Sequence, residues 1–127
     1  LRFLLVNLSL GLSIFFAASL LLTDAELWAV APDHAYALLV LMLLDCIMFL
    51  LVLRRKGFAI RFTQYWGAFK ALLFLADILT APQYGLTYLE FATYLFSLWA
   101  YNGLLLSQIL ITASGLNYMR SVKKAEV

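Results

Sequence analysis

The chain has 127 residues, of which 65% are hydrophobic and 13% charged, with a net charge of +2. A soluble domain of this size carries about a quarter charged residues, so a water-soluble globule is excluded and lipid must cover much of the surface. The one cysteine, Cys46, excludes an internal disulfide, and dithiol chemistry would need a partner's thiol.

The first apolar span is predicted over residues 3–22. It is uncharged, and Ser9, Ser13 and Ala17 recur every four residues, the small-residue spacing that lets membrane helices approach closely. A cleaved signal peptide is the rival reading, but the run is long for one and no A-x-A site follows. Thr23-Asp24-Ala25-Glu26 reads as a capping box opening a short surface helix through Trp28. Pro32 ends that piece, and Asp33 is expected to cap the next helix.

The second span is predicted over 35–53. It closes on the basic cluster Arg54, Arg55, Lys56 and Arg61, with Gly57 expected as a left-handed stop. The third is predicted over 62–79, followed by a turn at Ala81-Pro82-Gln83-Tyr84-Gly85. Thr87 and Glu90 form a second capping box, which starts a fourth span over 88–112. The expected fold is an all-α membrane domain, a single antiparallel bundle of four transmembrane helices.

Loop charge sets the orientation. Arg2, the Arg54–Arg61 loop and the C-terminal tail together carry eight Lys or Arg, whereas loops 23–34 and 80–87 carry none. By the positive-inside rule both termini are cytoplasmic and the protein lies in the cell membrane.

Asp45 and Lys70 stand out because each charge costs about 2.5–3.5 kcal/mol at the centre of a span. They fall at similar depth in consecutive spans, so an intramembrane ion pair is expected. It is either a structural lock or a proton or ion relay. His34 is the sole histidine, which rules out a bis-histidine haem site within the chain. Met42, Met48 and Cys46 read as packing residues. In the fourth span Phe91, Tyr94, Phe96, Trp99 and Tyr101 crowd together, and Gly103 and Ser107 form another close-approach face. The aromatics read as packing, or as a flat wall for a quinone or lipid tail.

The element Leu27-Trp28-Ala29-Val30-Ala31-Pro32-Asp33, directly before an apolar span, resembles the YpjA-like integral membrane proteins of bacteria and archaea. Asn7 and Gly11 in the first span and Tyr65-Trp66-Gly67 in the third resemble that pattern too. The likeness covers about Asn7 to Leu75. Gln64-Tyr65-Trp66-Gly67 stands where the family has Lys-Tyr-Gly, which displaces Lys70. The resemblance implies a membrane protein without known catalytic residues, in a respiratory setting.

The expected role is that of a non-catalytic accessory subunit in a larger, respiratory membrane complex. Its partners would be integral membrane subunits that bind haem or quinone, and lipids, not nucleic acid. It would hold no metal or cofactor through its own residues, though it could touch lipid or quinone. The alternative is a small oligomeric proton-coupled transporter using Asp45. An enzyme ranks last, since no nucleophile–base pair, metal cluster or phosphate loop is visible.

Overall fold

A computed structural model describes residues 2–126, with side chains for 4–122. The side chains of Arg2, Lys123 and Lys124, part of the positive-inside tally, lie outside the described residues. Among the described residues the chain is all-helical. Six α-helices follow in order: α1 (Arg2–Thr23), α2 (Ala25–Val30), α3 (Pro32–Leu53), α4 (Gly57–Ala76), α5 (Tyr88–Ser97) and α6 (Trp99–Glu126). A 3-10 segment, Asp77–Tyr84, joins α4 to α5.

Two helices, α1 and α3, are long and apolar enough to cross a membrane, and α5 with α6 makes a third if the bent pair is one span. At 22 residues each, α1 and α3 extend about 33 Å, the thickness of a bilayer core. The burial pattern is that of a protein in lipid. Lys70, Asp45, Ser13, Thr63, Ser107 and Gln108 are buried, while Leu8, Phe15, Ile47, Phe69, Leu72 and Ile109 face outward. That distribution would be unstable in water and is favourable in hydrocarbon, where outward apolar groups cost nothing and polar groups need internal partners.

α1 packs against both α3 and α6, and α6 packs against α4; α3 and α4 approach each other much less, although a short loop joins them. The α1–α6 seam is close because Gly103 lies under the Phe16 ring. The α4–α6 seam is close as well, and there the near neighbours include backbone. A β-carbon on Gly67 would overlap the Gln108 carbonyl and the Thr112 side chain, and one on Gly115 would meet Thr63. Ser9, Ser13, Ala17 and Ser107 are all buried within the chain. These small residues serve packing inside the protein.

Several boundaries differ from the sequence expectation. Asp24, not Thr23, caps α2 by accepting from the Leu27 N–H at 3.3 Å; Thr23 instead bonds back to the Ser19 carbonyl at 2.6 Å. Pro32 occupies the first turn of α3, where its missing N–H costs nothing, and Asp33 makes no capping bond. α3 ends in a Schellman turn: Lys56 N–H reaches the Leu51 carbonyl at 3.0 Å and Arg55 N–H reaches Val52 at 2.8 Å. The left-handed residue there is Arg55, at φ 58°, and Gly57 already belongs to α4.

The fourth span is not one continuous helix. It bends by 87° at Leu98, which adopts an extended backbone. Two side chains take over the freed carbonyls: Ser97 Oγ donates to Tyr94 O at 2.6 Å, and Asn102 Nδ2 donates to Phe96 O at 2.8 Å. Thr87 does cap α5, accepting from the Glu90 N–H at 3.1 Å.

Candidate functional site

The Asp45 carboxylate from α3 and the Lys70 ammonium from α4 meet in the interior, 2.5 and 2.6 Å from Nζ to the two carboxylate oxygens. Asp45 Oδ1 also accepts from Trp66 Nε1 at 2.7 Å, and Oδ2 accepts from Ser13 Oγ at 2.7 Å. Ser13 in turn accepts from Lys70 Nζ at 3.2 Å and Gln108 Nε2 at 2.9 Å. The ammonium has three donors and all three are used; the Ser13 hydroxyl has one donor and two acceptor positions, also all used. Lys70 further lies 5.2 Å from the Trp66 ring centroid, a cation–π contact. Each long helix contributes to this network: Ser13 from α1, Asp45 from α3, Trp66 and Lys70 from α4, Gln108 from α6. Its chemistry is that of a charge pair neutralised in place, with every group on Ser13, Asp45 and Lys70 already engaged.

Trp66 and Gln108 were not anticipated as partners. Trp66 precedes Lys70 by four residues, so the two share a helix face, and that spacing was the available signal.

About one helical turn from the network, towards the α2 end, a chamber of about 610 Å³ opens. All six helices and the 3-10 segment line it. Leu41, Phe74 and Leu104 form its floor; each stands four residues from Asp45, Lys70 and Gln108 respectively. Its walls are mainly apolar, and Phe91, Tyr94 and Tyr101 from the aromatic crowd belong to them, whereas Phe96 and Trp99 face outward. Tyr101 is fixed by donating to the Phe74 carbonyl at 2.6 Å.

The mouth of the chamber is polar. Tyr94 OH bonds the Asp24 carboxylate at 2.9 and 3.0 Å, linking α5 to the start of α2. His34 sits in a cluster of its own: Nδ1 lies 2.9 Å from Tyr84 OH and 3.3 Å from Asp33, and Nε2 lies 3.2 Å from Thr80 Oγ1 and 3.5 Å from Asp77. Burial, with the Asp33 charge beside it, pushes the Tyr84 hydroxyl above the ordinary phenol range, so it keeps its proton. Among the described residues no group of three or more His, Cys, Asp or Glu is placed to hold a metal ion.

Arg54, Arg55, Lys56 and Arg61 gather at the opposite end of α3 and α4 from the chamber. Cys46 is a free, half-buried thiol on α3.

Compared with family models, curated proteins and solved structures, the chain matches none. The Leu27–Asp33 element spans the later part of α2, Ala31 and the first residues of α3, and Leu27, Val30 and Ala31 line the chamber.

Proposed function

We propose that this is a multi-pass membrane protein that binds a small, apolar-bodied molecule drawn from the bilayer, and that it is not an enzyme. The observation that carries the reading is the chamber of about 610 Å³: it falls in the size range of small-molecule sites, with apolar walls and a few polar groups at one end. The orientation follows from charge. Arg54, Arg55, Lys56, Arg61 and Arg120 lie on the cytoplasmic side, as do both termini, and the chamber opens outward. α1, α3, α4 and the bent α5–α6 pair make four crossings of an antiparallel bundle.

The Asp45–Lys70 network acts as the lock that holds α1, α3, α4 and α6 in register beneath the chamber. The full engagement of Ser13, Asp45 and Lys70 favours that role over a proton relay, which needs a titratable group free to take the next proton. A role as accessory subunit beside haem- or quinone-binding proteins has less support. The small-residue faces that would have recruited partners, Ser9, Ser13, Ala17, Gly103 and Ser107, are occupied within the chain.

Native mass spectrometry of protein released in mild detergent tests the binding role. A co-purifying small molecule is expected, lost when Ala37→Phe or Leu41→Trp fills the chamber. Protein that carries no adduct, takes up no apolar probe and is indifferent to both substitutions would overturn it. Larger membrane proteins present at a constant ratio would restore the subunit reading.

A further inference from the structure

The charge around the chamber identifies the class of molecule it suits, granting the binding role above. Asp24, Glu26, Asp77 and Glu90 line it, and no Lys or Arg does. His34, the one basic side chain there, is already held between Asp33 and Asp77. The close contacts between a basic side chain and a carboxylate at this end, among the described residues, all involve His34, so Asp24, Glu26 and Glu90 have no basic partner of their own. Glu26 and Glu90 are exposed at the mouth, and the rings of Tyr84, Phe91 and Tyr94 stand beside them.

An entering anion, such as a fatty-acid carboxylate or a phosphate headgroup, would set its charge against four carboxylates. The low-dielectric walls of the chamber would focus that repulsion. A neutral molecule would gain from the walls alone. A cation gains twice, from the carboxylates and from the aromatic faces that attract positive charge. We propose that the chamber takes a lipophilic organic cation, with its positive head at Glu26, Glu90 and Asp77 and its apolar body between Leu27, Leu41, Leu95 and Leu104.

The test compares tetraphenylphosphonium with tetraphenylborate, which share size and apolar surface and differ in the sign of charge. Equilibrium dialysis against the full-length protein in a neutral detergent should show retention of the phosphonium well above that of the borate. Glu26→Gln with Glu90→Gln, changes that preserve shape and the α5 capping box, should weaken phosphonium binding about tenfold. Asp77→Asn should add to that loss, and Ala37→Phe should abolish binding. Equal retention of both ions, lost together in Ala37→Phe, would leave a binding chamber but overturn its preference for cations. No retention of either ion would remove the binding role as well. Phosphonium retention that survives Ala37→Phe would locate it outside the chamber and overturn the proposal too.

Discussion

Lys70 Nζ lies 2.5 and 2.6 Å from the two carboxylate oxygens of Asp45, where the two side chains are 1% and 2% exposed. Such a pair in hydrocarbon is not a net gain over an apolar pair of the same volume. Its effect lies in what happens when one member is lost, since the survivor is then a buried charge without a counter-ion. Asp45→Leu or Lys70→Leu alone should destabilise by about 3–5 kcal/mol. The double substitution should recover much of that, because neither charge is left behind. Thermal unfolding of the four proteins in detergent reads the coupling directly, and strictly additive losses would show that the two side chains act independently.

The glycines give a second contrast. Gly67 is pressed against the Gln108 carbonyl and Thr112, whereas a β-carbon on Gly57 would meet nothing within 4 Å. Gly67→Ala should therefore force α4 and α6 apart and cost about 1–3 kcal/mol. Gly57→Ala should be neutral or stabilise by about 1 kcal/mol through helix propensity. A shift of the melting midpoint that is equal for both would mean the α4–α6 seam is looser than its geometry.

Orientation can be read with single cysteines in a Cys46→Ala background. Cysteines at Glu26 and Gln83 should react with an impermeant thiol reagent added to intact cells, and a cysteine at Gly57 should react only after lysis. Labelling of position 57 from outside would reverse the topology and place the chamber on the cytoplasmic side.

Asp45 and Lys70 were legible in the sequence because a lone charge in a span demands a counter-charge, and spans of similar length put the two at the same depth. The break at Leu98 was not. Apolar residues continue through it, so hydropathy runs on unchanged, and only Ser97 and Asn102, both able to bond freed carbonyls, mark the place. At the start of α2, Thr23 and Asp24 are adjacent residues of capping type, and the threonine-to-glutamate spacing pointed to the wrong one. The Arg55 turn departs from the glycine rule for left-handed positions. The chamber had no signal of its own, since it is a space between elements. Its acidic mouth was legible in part, since Asp24, Glu26 and Asp33 make that outer loop acidic with no lysine or arginine beside them, but nothing in the sequence placed them on one chamber.

The link between Tyr94 and Asp24 joins α5 to the cap of α2 across the chamber mouth, at 2.9 and 3.0 Å. Asp24 has two duties there, since it also accepts from the Leu27 N–H. Tyr94→Phe keeps the ring in the wall and removes only the hydroxyl, so it should cost about 0.5–1.5 kcal/mol. Asp24→Ala removes the cap as well and should cost about 1 kcal/mol more. Because α2 and α5 lie at the periphery of the helix packing, the loss should be local. Amide exchange should quicken in Ala25–Val30 and Tyr88–Ser97 and stay unchanged in α1 and α4. Exchange in α5 that is the same with and without the hydroxyl would show that packing against the 3-10 segment, not the bond to Asp24, holds α5 in place at the mouth.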